Sequence, residues 1–462
     1  PEAGIWMNTQ RPEWNDANNA LVGNGVSMVT LYYLRRFLSF LEQALAKSTT
    51  QQVEISEEVS NFFKAISNTF TQNISVLDNV ISNTKRKEIT DTLGIAGSNF
   101  RNQVYLHSFS GKKATVDVKE LISFLHVAVQ LVDHSIKANK GNDNLYHAYN
   151  LLSFDQDELK ITHLSEMLEG QVAVLSAGFL TADESVQVLD AMKVSSLYRA
   201  DQNSYILYPN KQLPKFLEKN NIPSSAINKS LLLKKLLSNG NSVIVEKDIL
   251  GSYHFNGNFK NADDLANGLD NLSNDYSDLV KKDKALVIDI FEEVFNHKEF
   301  TGRSGTFFGY EGLGSIYWHM VSKLAVAVQE TCLTALANNT SKEVVQKLVQ
   351  HYYHVIDGIG VHKSPTVYGA FPVTPYSHTP LNKGAQQPGM TGQVKEDILT
   401  RIGELGVQMK DGQLSFNPQI LAKKEFLQID TTANFVMVDG SIQKISLAKN
   451  SLAFTVCQVP VI

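Results

Sequence analysis

The amino-acid sequence predicts a mainly α-helical protein that ends in a small β domain. Along most of the 462 residues, apolar side chains recur three and four positions apart, which is the period of an amphipathic helix. From Gly406 onward the period changes to two, and Asp411-Gly412, Asp439-Gly440 and Lys449-Asn450-Ser451 indicate turns between strands. With 43% hydrophobic residues, the chain can bury a sizeable core.

The first predicted helix runs from Leu21 to Leu45, and its apolar period indicates burial along its whole length. Ser56, Thr181 and Ser341 each stand before acidic residues, so we predict that they cap the helices that follow. The further predicted helices lie at residues 56–80, 90–105, 116–138, 164–178, 182–195, 227–238, 261–273, 279–297, 315–338, 341–357 and 393–404.

Two β-rich segments, residues 204–209 and 242–246, interrupt the helical pattern. Each is flanked by Asn, Gly or Pro, which is typical of a short strand. We place both in an inserted α+β region at about 140–275.

A long segment at about 358–392 has no period and contains five prolines and six glycines. A structureless stretch of this length inside a compact protein is usually functional or disordered. Its aromatic residues and its histidines, His362 and His378, favour order. We therefore predict an ordered loop that covers a site.

Composition and charge exclude several classes of function. The net charge is −5 and no long basic run is present, which argues against nucleic-acid binding. Charged or amide residues interrupt every apolar run well short of a membrane span, so we expect no membrane helix. The two cysteines, Cys332 and Cys457, suit a reducing compartment, and no signal peptide is visible after Pro1. These features favour a cytoplasmic location.

The most informative motif is Trp14-Asn15-Asp16, which follows Arg11 and comes directly before the first long helix. Taken alone, Asp16 would be interpreted as a helix N-cap beside a core tryptophan. With the amides and the Gly-containing helix that follow, however, the motif resembles a segment of the cellobiose-phosphorylase-like inverting glycosidases and phosphorylases. These enzymes are built on an (α/α)6 toroid of six helical hairpins.

Two further segments are similar to that family, in the same order along the chain. They are Gly314-Ser315-Ile316-Tyr317-Trp318-His319 and Met390-Thr391-Gly392. The resemblance implies that residues 1–405 form a helical toroid domain and that 406–462 form a small antiparallel β-sandwich. Because the family's acid lies near the middle of its toroid, we expect this chain to be the C-terminal part of a larger enzyme.

The resemblance also implies roles for individual residues. Asp16 would be the general acid that protonates the leaving oxygen. Phosphate would be held by the imidazolium of His319 and by Thr391 and Gly392. The sugar would be bound by Arg11, Trp14, Asn15, Trp318 and Gln387. Inorganic phosphate is then a co-substrate and no cofactor is expected.

The reaction type stays open between two alternatives, with phosphorolysis preferred. Hydrolysis with inversion would need a carboxylate base that activates water, and Glu311 and Glu396 are the candidates. A different class of function is a non-catalytic carbohydrate-binding or scaffold protein on the same fold. The segments 198–208 and 253–256 mix polar and aromatic residues and could line sugar subsites.

Rival motifs point to other chemistry only weakly. His351 and His354 are three residues apart on a predicted helix, but no HExxH spacing is present, so we predict no metal site. The expected partners are an oligosaccharide or glycoside substrate, the N-terminal part of the same enzyme and a second copy of the chain.

Overall fold

The computed structural model describes residues 1–7, 21, 25–209, 218, 220–295, 316–359, 363, 364, 366, 378–379, 394–410 and 412–462. These residues are mainly helical, as the sequence predicts, and also form several small sheets. The helices are α1 (Met28–Ala46), α2 (Glu57–Gln72), α3 (Asn83–His107), α4 (Val118–Ala138), α5 (Leu168–Ser176), α6 (Ala182–Val194), α7 (Ser224–Lys229), α8 (Leu231–Ser238), α9 (Ala262–Asp270), α10 (Ser277–Phe295), α11 (Trp318–Ala337), α12 (Lys342–Asp357) and α13 (Val394–Glu404).

The strands are β1 (Ile5–Trp6), β2 (Gly25–Ser27), β3 (Gln52–Ser56), β4 (Lys113–Asp117), β5 (Tyr149–Phe154), β6 (Leu159–His163), β7 (Tyr198–Arg199), β8 (Ser204–Tyr205), β9 (Val245–Lys247), β10 (Tyr253–Phe255), β11 (Ile316–Tyr317), β12 (His378–Thr379), β13 (Val407–Lys410), β14 (Gln413–Phe416), β15 (Thr431–Val436), β16 (Ile442–Leu447), β17 (Phe454–Val456) and β18 (Val459–Val461).

Helix α1 is shorter and less buried than predicted. It begins at Met28 rather than at Leu21, because Gly25–Ser27 is a strand that pairs with both β1 and β5. Only its first turns are buried, whereas Phe37 and Phe40 are 56% and 66% exposed. The apolar period thus continues beyond the part of the helix that other described elements cover.

The predicted caps are found at two of the three positions. Thr181 and Glu184 form a complete capping box at the start of α6. The Ser341 hydroxyl accepts a hydrogen bond from the backbone N–H of Val344. Ser56 precedes α2 but makes no capping hydrogen bond through its side chain.

The four longest strands in the first half of the chain, β3, β4, β5 and β6, were not predicted. β5 and β6 join β1 and β2 in a four-stranded antiparallel sheet of order β1-β2-β5-β6. β3 pairs with β4, so the segment between them, which contains α2 and α3, begins and ends at the same two-stranded sheet. Each of these strands is five or six residues long and alternates irregularly, so its period-two signal is weak.

Helix α11 is the centre of the helical body. Twelve of its 20 residues are buried, and it packs against α5, α6, α12 and α13. Among the described helices, α11 also has the length and apolar composition of a membrane-spanning helix. However, 56% of that apolar stretch is buried inside the protein, which is the environment of a core helix.

The chain divides into two compact units, Lys211–Thr306 and the remainder. The core of the smaller unit contains Leu232, Ile244, Leu265 and Phe291, contributed by α8, α9, α10 and the residues beside β9. The inserted region predicted at about 140–275 overlaps this unit but has different bounds. Residues before 211 belong to the larger unit, because α5 packs on both α1 and α11 there.

The C-terminal residues form three separate antiparallel hairpins, β13–β14, β15–β16 and β17–β18. The predicted turn at Asp439-Gly440 connects β15 to β16, and Gly440 has φ of +83°. The β17–β18 turn uses Cys457 and Gln458, both with positive φ, which is unusual for these residue types and could not be recognised from the sequence.

Candidate functional site

The candidate site begins where β11 passes directly into α11. Tyr317 is the N-cap of the helix, and the first two helical side chains, Trp318 and His319, are both buried. β11 pairs with β12, which brings the backbone of His378 opposite that of Tyr317. Two described residues of the proline-rich segment therefore lie beside the start of α11.

His319 lies next to a buried carboxylate from another helix. Its Nε2 atom is 3.5 Å from Oε1 of Glu396, in the first turn of α13, and its Nδ1 atom is 3.3 Å from the Tyr317 hydroxyl. Glu396 is 4% exposed, and its Oε2 atom has no hydrogen-bond partner within the described part of the chain. The structure thus brings His319, the predicted phosphate ligand, next to Glu396, a predicted base for hydrolysis.

The electrostatic environment keeps His319 neutral. Burial, together with the smaller effect of the positive charges of Lys323 and Lys395, lowers its pKa from 6.5 to about 4. If His319 holds phosphate as an imidazolium ion, as predicted from the sequence, the ring must therefore take up a proton when phosphate binds. The same two lysines create a positive potential that would favour an anion here.

Helix α13 is fixed against the core by a buried polar network one to two turns beyond Glu396. The Gln329 amide of α11 donates to the Thr400 carbonyl oxygen at 2.6 Å and to the Tyr352 hydroxyl at 3.2 Å. Tyr352 donates in turn to Glu404 at 2.8 Å. Because these bonds connect α11, α12 and α13, they hold Glu396 in place relative to His319.

A second group of polar residues lies around Trp318. The Lys363 ammonium lies 4.7 Å from the centre of the Trp318 ring and donates to the side-chain oxygen of Gln202 at 3.4 Å. Burial, together with the nearby charge of Arg199, lowers the pKa of Lys363 to about 8. The Arg199 guanidinium is buried and pairs with Asp201 at 3.0 Å.

Sequence reasoning found part of this second group. Arg199, Asp201 and Gln202 belong to the segment that was predicted as a possible sugar subsite. Lys363 was missed, because a single lysine in a segment rich in proline and glycine gives no periodic or motif signal.

Of the predicted site residues, Trp318, His319 and Glu396 are described and lie close together. The others, Arg11, Trp14, Asn15, Asp16, Glu311, Gln387, Thr391 and Gly392, lie outside the described residues.

The two histidines considered for a metal site contact other groups. His351 Nε2 lies 2.8 Å from the Asp190 carboxylate, and the His354 ring packs against Tyr198 and Tyr205. Within the ranges that the structure describes, no group of three or more His, Cys, Asp or Glu side chains could hold a metal ion.

Comparison with known proteins relates the smaller unit to one family. Residues 213–298 match the family model described as GH149 phosphorylase insertion domain 2, and they lie within the compact unit Lys211–Thr306. The chain is thus similar, in this part, to glycoside phosphorylases of the GH149 type, and the match does not bear on the narrower resemblance to cellobiose-phosphorylase-like enzymes. A search of curated proteins finds no match.

Proposed function

We propose that this protein is a glycoside phosphorylase, or the catalytic part of one, which cleaves an O-glycosidic bond with inversion. The observation that carries the proposal is the match of residues 213–298 to an insertion domain of GH149 phosphorylases. The motifs at Asp16, His319 and Thr391 support it independently, since they come from other parts of the chain. The proposal includes an (α/α)6 toroid for the helical body and a β-sandwich for the C-terminal hairpins.

The anion site is proposed at the start of α11. His319 is buried there, and Lys323 and Lys395 supply positive potential. A phosphate dianion beside His319 would raise the pKa of the imidazole, so the ring would take up a proton as the anion binds. The charged imidazole would then donate a strong hydrogen bond to phosphate.

Thr391 and Gly392 are proposed to complete the anion site. They precede Glu396 by five and four residues, and Glu396 lies 3.5 Å from His319. Because they are so close to Glu396 in the sequence, we propose that they bind the same phosphate as His319. Their hydroxyl and backbone N–H groups are of the kind that binds phosphate at a helix N-terminus.

The sugar and the acid complete the proposed reaction. Asp16 would donate a proton to the leaving oxygen while phosphate attacks the opposite face of the sugar ring, which inverts the anomeric configuration. Arg11, Trp14, Asn15 and Gln387 are proposed to contact the sugar, whereas the Trp318 ring is fully buried and would support the site from inside the fold. The polar group of Lys363, Gln202 and Arg199 lies against Trp318 and so borders this region.

Hydrolysis is the second candidate, and the environment of Glu396 favours it. This carboxylate is buried and has an oxygen without a hydrogen-bond partner among the described residues, as a base that activates water could have. In a phosphorylase, Glu396 would instead orient the imidazole of His319. Glu396→Gln would then reduce activity partly, whereas in a hydrolase it would abolish it.

The two reactions are distinguished by their products. The purified protein is incubated with a panel of glycosides and oligosaccharides, with and without inorganic phosphate. We expect cleavage only with phosphate and a sugar 1-phosphate of inverted configuration among the products. Release of free sugar at the same rate without phosphate would show a hydrolase, and no cleavage of any substrate would favour a non-catalytic carbohydrate-binding protein.

A further inference from the structure

The geometry points to Lys363 as a positioning residue, whose charged ammonium group holds Trp318 and, through it, the proposed phosphate site at His319. Lys363 follows Asp357, the last residue of α12, by six positions and contacts the first turn of α11. This role rests on the proposed function, because it concerns the anion that His319 would bind. A residue that acts through Trp318 in this way is distinct from those proposed to contact phosphate or sugar.

Lys363 connects three parts of the larger compact unit. Its ammonium nitrogen lies 4.7 Å from the centre of the Trp318 ring in α11 and donates to the side-chain oxygen of Gln202 at 3.4 Å. Gln202 lies between β7 and β8, and α12 comes just before Lys363 in the chain. All three side chains are buried. The ammonium group therefore fixes the start of α11 against two other elements.

The position of Trp318 bears directly on His319. The two residues are consecutive at the start of α11, and the Tyr317 ring before them meets the His319 ring edge-on, with centres 5.6 Å apart. Because the Trp318 ring is fully buried, it cannot reorient without a shift of the surrounding turn. A weaker hold on Trp318 therefore changes how the His319 imidazole faces the phosphate.

The charge of Lys363 is not neutralised by an ion pair. Within the described part of the chain, no carboxylate lies at ion-pair distance from it. The charged groups that act on it are Arg199 on β7, which disfavours its charge, and the next residue but one, Asp201, which favours the charge more weakly. The Asp201 side chain is 50% exposed and pairs with Arg199.

Such a buried ammonium group costs free energy, and the face of the Trp318 ring offsets only part of that cost. A contact that served the fold alone could be made by an uncharged side chain of similar length, such as methionine. The retention of a charge beside Trp318 is therefore an argument for a role in the site.

The hold on Trp318 depends on pH. Burial and the nearby charge of Arg199 lower the pKa of Lys363 from 10.5 to about 8, so its charge is lost as the pH rises through about 8. A neutral amine has no cation–π attraction for the Trp318 ring. The phosphate site should therefore weaken on the alkaline side of this pKa.

The first measurement needs no catalytic activity. It follows the indole N–H resonance of Trp318 during a pH titration of protein labelled with 15N-tryptophan. The chain has 3 tryptophans, so Trp6→Phe and Trp14→Phe identify this resonance by elimination. We expect it to shift with a midpoint at about pH 8 in the wild type but not in Lys363→Met or Lys363→Arg, because neither side chain titrates there. Lys342→Met, exposed at the start of α12, is the control and should shift like the wild type.

The second measurement is the affinity for inorganic phosphate, followed by 31P NMR at about pH 7 and about pH 9.5, on either side of the Lys363 pKa. At the lower pH, Lys363→Met should bind phosphate roughly tenfold more weakly than the wild type and the control. At the higher pH, the wild type should bind like Lys363→Met, because its lysine is then neutral. Proton uptake by His319 is common to all the proteins and cancels in these ratios. Lys363→Arg stays charged, so its affinity relative to Lys363→Met should be the same at both pH values.

These measurements separate the role of Lys363 from the reaction itself. A wild-type Trp318 resonance that does not titrate, or one that still titrates in Lys363→Met, would overturn the assignment. So would the absence of phosphate binding by the wild type, or a phosphate affinity that Lys363→Met leaves unchanged at about pH 7. The expected changes in a protein that cleaves no glycoside would support the role of Lys363 at an anion site and overturn only the proposed function.

Discussion

His319 is a histidine that burial and two nearby lysines keep neutral. Because its pKa is about 4, His319 stays neutral in the folded protein at pH values at which the unfolded chain has already taken up a proton. The free energy of unfolding therefore falls as the pH decreases from 6.5 to about 4.

The first prediction concerns this pH dependence. His319→Asn should remove a loss of about 3 kcal/mol that the wild type undergoes between pH 6.5 and pH 4, because asparagine does not titrate. Urea unfolding at several pH values measures it. His126→Asn, at a position 62% exposed, is the control and should follow the wild type. An equal decrease in the wild type and His319→Asn would contradict the prediction.

The second prediction concerns the proposed acid. Asp16→Asn should lower the rate on substrates with a poor leaving group by roughly 10²–10⁴-fold, because the variant cannot donate a proton. A nitrophenyl glycoside should be affected less, since its leaving group needs no proton. Thermal unfolding should be unchanged. Normal activity on an unactivated substrate would exclude Asp16 as the acid.

At the scale of elements, the position of Glu396 depends on how closely α13 approaches α11. Gly403 permits this approach, because a Cβ atom there would overlap Oε1 of the buried Gln329. Gln329 in turn bonds to Thr400 and Tyr352, so it cannot move without breaking the network.

The third prediction follows from this contact. Gly403→Ala should destabilise the protein by about 1–3 kcal/mol and should lower activity, because α13 must shift. Gly94→Ala is the matched control: it lies inside α3 with no atom within 4 Å of the added Cβ, and it should stabilise by about 0.5–1 kcal/mol. Urea unfolding compares the two. A stable, fully active Gly403→Ala variant would show that α13 tolerates displacement.

The elements show where sequence reasoning succeeds. Each predicted helix has a counterpart among the described elements, because an apolar face and a cap are local signals that tertiary contacts reinforce. Thr181 with Glu184 is an example. β2 was predicted as helix, because a three-residue strand carries too little period to be separated from the helix that follows it.

The candidate site was predictable only in part. His319 was found through a motif, and Glu396 was named as an alternative base. Their proximity could not be predicted, since 77 residues separate them in sequence and the contact depends on the packing of α13 on α11. Lys363 was also missed, because its burial makes an ordinary charged residue significant and burial is a property of the fold.

At the scale of the molecule, the smaller compact unit has a core of its own, whereas the candidate site belongs to the larger unit. The unit Lys211–Thr306 has its own apolar core and a buried anchor, Asp283, whose carboxylate accepts hydrogen bonds from the Ser230 hydroxyl at 2.8 Å and the Leu232 N–H at 2.9 Å. The residues around His319 all belong to the other unit.

The fourth prediction tests whether the units are stabilised separately. Asp283→Ala leaves two buried donors at the start of α8 without an acceptor, which should cost about 1–3 kcal/mol. Hydrogen exchange should accelerate throughout residues 220–295 but remain unchanged in α1 and α11. Asp289→Ala, in the same helix, is the control. Equal acceleration in both units would show that they unfold together.

The measurement that tests the central claim most directly is the phosphate dependence of glycoside cleavage in the wild type, His319→Ala and the control His126→Ala. If His319 binds the attacking phosphate, His319→Ala should raise the phosphate concentration for half-maximal rate by roughly tenfold to a hundredfold, because one charge-assisted hydrogen bond contributes about 1.5–3 kcal/mol. The affinity for the sugar should change much less, and the control should match the wild type. Cleavage that is independent of phosphate, or a His319→Ala variant with an unchanged phosphate requirement, would contradict the account.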